Sequence, residues 1–240
     1  MAEFKLPTEI IDLPSQGKLY PEDSPLAEGK IEMKYMTAKE EDILTNQSYI
    51  EKGIVIDKLL ESLIVSDINL DHMLIGDKNA LLVAARILGY GSIYKFTYAG
   101  EEQEIDLSQL PPKKLDPSIT GTNEFNFTLP ASGNDITYKL LTQGDERKIS
   151  RELDGLRKIN PNNVPELSTR LKYIIQSVNG ERGSKEIREF VDKYLLAQDS
   201  KALRDEIRSK QPDVDLSFFP EGSTTKRNIP ISIDFFYPDL

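Results

Sequence analysis

The chain has 240 residues, 38% of them apolar and 29% charged, with a formal net charge of −10 and no cysteine. That mix describes one large or two small globular domains with enough apolar material to bury a core, and it excludes disulfides, thiolate metal sites and cysteine nucleophiles. The acidic balance argues against a grip on nucleic acid, which needs clustered Lys and Arg; it fits plain solubility or a basic protein partner.

Residues 1–30 read as an extended arm. Pro7, Pro14, Pro21 and Pro25 break helices, Gly17 and Gly29 add turns, and Ile10, Ile11, Leu13, Leu19 and Tyr20 are apolar residues that need something to dock on. The start lacks the basic patch and apolar core of a signal peptide, and no apolar run approaches the roughly 18 residues of a bilayer span. Residues 31–35 alternate apolar and charged, which predicts a short strand. Thr37-Ala38-Lys39-Glu40 has the form of a capping box opening a helix through Leu44. A second helix is expected over about Ile54–Ile64, with Ile56, Leu59, Leu60, Leu63 and Ile64 on one stripe. A third is expected from Asp77 as N-cap to Gly89, nearly apolar all round and therefore central.

Tyr94, Phe96 and Tyr98, the turn Ala99-Gly100, and Ile105 and Leu107 predict a hairpin. Leu110–Lys114 has a linker composition, and a second hairpin follows: Phe125, Phe127 and Leu129 out, Ser132–Asp135 as turn, Ile136, Tyr138 and Leu140 back. Helices are expected over about Asp145–Ile159, Val164–Val178, Ser184–Ala197 and Ser200–Ser209. The tail reads as strand, with Val214, Leu216 and Phe218 going out and Ile229, Ile231, Ile233, Phe235 and Tyr237 returning. The class is α+β, two helical clusters each followed by a hairpin, plus a middle hairpin and the arm. The expected units are 1–30 (docking arm), 31–110 (helices ending in a hairpin), 111–142 (linker and middle hairpin) and 143–240 (helices with a C-terminal hairpin).

A search for chemistry yields no constellation. The single histidine, His72, sits among apolar residues, and its neighbour Asp71 is too close in sequence to orient it. Glu40-Glu41-Asp42 and Glu101-Glu102 fall on a helix start and a hairpin, where solvated acids are ordinary. Asp67, Asn69 and Asp71 open like a calcium loop, but His72 stands where glycine is needed and no closing Glu follows. Gly89–Ser92 follows a helix and makes no phosphate cradle. Arg86, alone on an apolar helix, is expected to pair with a buried carboxylate or to reach the surface. No cofactor, no metal and no catalytic residue is expected.

Several segments resemble the baseplate proteins of T-even-type contractile-tail bacteriophages. They are Leu13–Pro21 (LPSQGKLYP), Met36–Leu44 (MTAKEEDIL), Ile56–Ile64 (IDKLLESLI) and Leu74–Arg86 (LIGDKNALLVAAR), in order, with a closing Ile233–Pro238 (IDFFYP) similar to the C-terminal signature of that family. The resemblance implies a baseplate hub subunit or hub assembly protein that acts by binding other hub or tail proteins, without turnover. It implies a place in the virion tail baseplate after assembly in the host cytoplasm, with no nucleic acid bound and no membrane spanned. A non-virion assembly chaperone and a carboxylate-based hydrolase are the alternatives. Zinc-knuckle Cys pairs of some relatives are absent: the corresponding turns read Tyr98–Glu101 and Phe219–Gly222. The candidate contact residues are Leu13, Leu19 and Tyr20 in the arm, Tyr90 before the first hairpin, and Phe236, which a tail strand would point away from Phe235 and Tyr237.

Overall fold

The computed structural model describes residues 6–119, 121–220, 223–229, 231 and 233–236. In chain order the elements are β1 (Thr8–Asp12), β2 (Lys30–Lys34), α1 (Ala38–Leu44), α2 (Gln47–Glu51), α3 (Val55–Leu63), α4 (Ile75–Tyr90), β3 (Ile93–Tyr98), β4 (Glu101–Asp106), β5 (Pro112–Lys113), β6 (Phe125–Thr128) and β7 (Asp135–Tyr138). They continue with α5 (Gln143–Ile159), α6 (Glu166–Ile174), β8 (Ile175–Val178), α7 (Ser184–Lys193), α8 (Ala197–Lys210), β9 (Asp213–Val214), β10 (Ser217–Phe218), β11 (Arg227–Asn228) and α9 (Ile233–Phe236). Every strand pair is antiparallel: β1 with β2, β3 with β4, β5 with β9, β10 with β11, and β6-β7-β8 as a three-stranded sheet. This is the expected α+β class. One contiguous apolar cluster runs from Leu13 to Phe236 and draws on all four stretches of the chain.

The capping box forms as its spacing dictates. The Glu40 carboxylate reaches back to the Thr37 N–H at 2.9 Å and its hydroxyl at 2.6 Å. The first hairpin turns where Ala99 and Gly100 both take positive φ, 52° and 87°, the pairing that suits the twist of the strands.

Several expectations are corrected. The arm is not merely extended, since Thr8–Asp12 forms a full ladder with β2. Residues 175–178 are strand, not the end of the preceding helix. Ile175 and Ser177 are buried while Gln176 and Val178 are half-buried, a period of two that lets β8 pair with β7. The composition-based linker contains β5, which pairs with β9 and thereby diverts Val214 from any pairing with the tail. The tail itself turns helical in α9, so the rings of Phe235 and Phe236 both enter the core, 5.1 Å apart and edge-to-face, with Phe235 also 4.9 Å from Tyr94. Tyr237 and Pro238, and the turn residues Glu221 and Gly222, lie outside the described residues.

The third helix begins at Ile75, not at Asp77, and runs to Tyr90 with Gly91 as its C-cap. Its first turn is where the chain converges. Leu74 bridges to Thr142, and the Ile75 N–H donates to the Leu141 carbonyl. A Cβ on Gly76 would sit 1.7 Å from the Pro212 carbonyl oxygen, so only glycine lets the two backbones touch. Asn79 donates to Asp213 at 2.9 Å. Replacing Gly76 by Ala is therefore expected to cost about 3 kcal/mol or more, read as a lowered denaturation midpoint or as failure to fold; a variant as stable as wild type would show that the contact is not tight in solution.

Candidate functional site

Two polar clusters and one surface hold the residues that the sequence singled out. The first cluster is centred on Asp77, which is 0% exposed. Its carboxylate accepts the Ser15 N–H at 2.9 Å, the Ser15 hydroxyl at 2.6 Å and the Tyr20 hydroxyl at 2.6 Å. The Tyr20 oxygen in turn accepts the Leu74 N–H at 2.9 Å, so one phenol links arm, carboxylate and helix start. The Ser15 oxygen also accepts the Gly17 N–H, where φ of 75° folds the arm back on itself. The positive end of α4 favours a carboxylate at this place. Burial still pushes the Asp77 carboxyl above the usual range, with the Ser15 and Tyr20 hydrogen bonds opposing the rise. Burial and the Asp77 charge push the Tyr20 hydroxyl far up, which keeps it a donor.

The second cluster joins the two helical groups. Asp57 of α3 accepts from Lys78 of α4 at 2.7 Å, from the Gln143 amide at 2.9 and 3.0 Å, and from Arg147 of α5 at 3.1 Å. Arg147 also reaches Asp71 at 2.5 Å. Burial works against the Asp57 charge, but the Lys78 and Arg147 cations outweigh it and lower its pKa. Glu40, also wholly buried, is held from the other side by Lys34 at 2.8 Å and the Ser62 hydroxyl at 2.7 Å. Burial alone would raise this carboxyl; the Lys34 ammonium and the Thr37 and Ser62 hydroxyls bring it down to about 2. Further along, the Asp199 carboxylate accepts the Ala131 and Ser132 N–H groups and fixes the β6–β7 turn to α8.

Of the five candidate contact residues, Leu13, Leu19, Tyr20 and Phe236 are spent inside the chain's own core. Phe236 was expected to face outward on a strand; its place in the helical turn α9 removes that face. Tyr90 alone keeps accessible surface. It is half-buried, donates its hydroxyl to Glu41 at 3.2 Å, and carries the Arg86 guanidinium 5.3 Å from its ring. Arg86 is buried rather than at the surface, and it bonds the Gly91 and Ile93 carbonyls, with Tyr94 as its second ring.

His72, Asp67, Asn69 and Asp71 line a groove of about 630 Å³ with Tyr20, Asp23 and Thr142. Asn69 is used as a cap, accepting the Asp71 N–H at 2.9 Å, and Asp71 is engaged by Arg147. Among the described residues no group of three or more His, Cys, Asp or Glu could hold a metal ion, and no helix is long and apolar enough to cross a membrane. Comparison with family models, with curated proteins and with solved structures gives no match.

Sequence reasoning placed Asp77 as a helix cap and missed its hold on the arm; the available signal was a Ser and a Tyr flanking a Gly turn in an arm with apolar residues to bury. The Asp57 and Asp199 contacts span 86 and 68 residues and leave no local trace.

Two stability measurements follow. Asp77→Ala leaves three buried donors unpaired at about 1–3 kcal/mol each, so a loss on the order of 3–5 kcal/mol is expected in chemical denaturation; a loss below about 1 kcal/mol would mean the arm does not depend on this carboxylate. For Glu40 the folded-state pKa is depressed, so its contribution is present above the usual 4.5 and disappears as pH falls toward 2. Wild type is therefore expected to exceed Glu40→Gln in stability near neutrality, with the gap closing across that window. Asp77, being raised, contributes in the opposite sense and is common to both proteins. A gap independent of pH would refute the assignment.

Proposed function

We propose that this chain is a baseplate hub subunit or hub assembly protein of a contractile-tail bacteriophage, acting by binding other tail proteins and without catalytic turnover. One observation carries the reading. The four ordered segments that resemble the baseplate family interlock as one unit. Leu13–Pro21 closes on Leu74–Arg86 through Ser15, Tyr20 and Asp77. Met36–Leu44 meets Ile56–Ile64 through Glu40 and Ser62. Ile56–Ile64 meets Leu74–Arg86 through Asp57 and Lys78. Segments that belong to a shared architecture are expected to hold each other in this way, which supports the reading.

The contact surface in this reading is the face around Tyr90 and the exposed Ile93, beside the acidic strand β4. An aromatic held rigid by Arg86 loses little entropy on binding and suits an anchor role. Leu13, Leu19, Tyr20 and Phe236 act in this reading by maintaining the fold that presents that face. The test is a pull-down from phage-infected cell lysate with wild type beside Tyr90→Ala. Recovery of hub or tail proteins by wild type, reduced by about tenfold or more in the variant, is the expected result. A wild type that recovers no tail protein sinks the proposal. Mass spectrometry of purified virions then separates a resident hub part from an assembly factor that leaves before the particle is finished.

A further inference from the structure

The sheet formed by β1 and β2 has one edge filled and one edge open. Two bonds flank the ladder, from the Leu13 N–H to the Gly29 carbonyl and from the Tyr35 N–H to the Pro7 carbonyl. They show that the odd-numbered residues of β1 face β2. In an antiparallel pair the intervening residues then direct both N–H and C=O the other way, so Thr8, Ile10 and Asp12 present theirs to the outer edge. No strand pairs with that edge among the described residues. The far edge of β2 is taken: the Val65 N–H donates to the Glu32 carbonyl at 2.9 Å, the Glu32 N–H to the Ser66 hydroxyl at 3.0 Å, and Met33 bridges to Ile64.

On the outer face of this sheet Ile10 is an exposed apolar residue among polar neighbours, with Thr8 and Asp12 beside it on β1 and Lys30, Glu32 and Lys34 across from them on β2. Ile10 lies opposite Glu32, which neighbours Val65, and Ile10 and Val65 are 65% and 51% exposed. Strand edges in monomeric proteins are commonly blunted by lysine, proline or a bulge. Thr8–Asp12 has none of these within it, and its ladder with β2 is regular over all five residues. Its charges are both acidic, Glu9 and Asp12. Asp12 has a loose surface contact with Lys30 at 3.9 Å, and Glu9 has no ion pair among the described residues. The sign of those charges selects the occupant. Pairing this edge with the same edge of a second copy would place four carboxylates along one seam with no cation of either strand to offset them, whereas a cationic strand would find a complement on each side of Ile10.

We propose that the open edge of β1 is a docking site for an extended segment of a basic partner protein, added as a further strand with an apolar residue over Ile10 and cationic residues near Glu9 and Asp12. Main-chain bonds to residues 8, 10 and 12 supply the register, and the exposed Ile10 supplies an apolar contact. The inference rests on the binding role proposed above but not on its phage assignment.

The probe is a short fluorescent synthetic peptide with one Ile flanked on each side by two Lys residues, titrated into the full chain and followed by anisotropy. Binding is expected, with slowed hydrogen exchange at the Thr8, Ile10 and Asp12 amides. Methylating alternate peptide nitrogens, or replacing its Lys by Glu, is expected to weaken binding by about tenfold or more. Ile10→Pro removes an outward N–H while leaving the β1–β2 bonds in place, and is expected to weaken binding similarly with a near wild-type melting curve. Should that variant unfold, Ile10→Lys, which sets a cation against the incoming one, reads the same edge. Equal binding by the folded Ile10 variant, protection at other amides, or no preference for Lys over Glu would overturn the proposal. Concentration-dependent dimers of the free chain that Ile10→Pro abolishes would assign the edge to a second copy and also overturn it. Peptide binding at β1 with no tail protein in the pull-down would leave the edge standing and remove the phage reading alone.

Discussion

A carboxylate with no access to water holds the arm of this protein to its central helix. Asp77 accepts three hydrogen bonds from Ser15 and Tyr20, and around it the first turn of α4 meets the residues just before α5, the backbone at Pro212 and the side chain of Asp213. A buried charge is tolerated only when its partners are complete. That condition makes the arm, the helix start and the C-terminal stretch mutually dependent. Leu13, Leu19 and Tyr20 are buried because the carboxylate holds the loop that carries them, and the loop stays because those side chains cover the carboxylate.

The same logic of remote pairs explains how the two helical clusters stay together. Asp57 gathers a lysine from α4, an amide and a guanidinium from α5, and Arg147 carries the tie on to Asp71. The bond between two clusters is thus polar and directional beside an apolar core that has no such directionality. Interior polar networks fix geometry in a way that interchangeable aliphatic contacts do not.

Much of the local structure was legible because its causes are local. The capping box, the hydrophobic stripe of α3, and the Ala99-Gly100 turn each depend on residues a few positions apart, and each lies close to where the spacing places it. What failed did so where tertiary pairing overrides a local pattern. Ile175–Val178 continues a helical stripe acceptably, but it alternates well enough for β7 to claim it as a strand. The run from Ile229 to Phe235 alternates like a strand, yet Tyr94 and the core offer room for two adjacent rings, and a helical turn delivers both. Candidate contact residues chosen for being apolar in an arm or at a tail were mostly fold residues, since apolarity alone does not tell a docking surface from an unrecognised piece of core.

The backbone contact at Gly76 also bears on how this chain reaches its fold. The helix that packs against α3, α9, β1 and β9 has its first turn completed by Pro212 and Asp213, more than a hundred positions downstream, with the Asn79 to Asp213 bond spanning 134 residues. Closing so long a loop comes late, because its entropy must be spent before the contact returns anything. During synthesis the arm, α3 and α4 leave the ribosome well ahead of the stretch that seals them. Until that stretch is made, the residues of this turn have no Pro212 or Asp213 to meet, and that flank is the region a folding helper would have to shield.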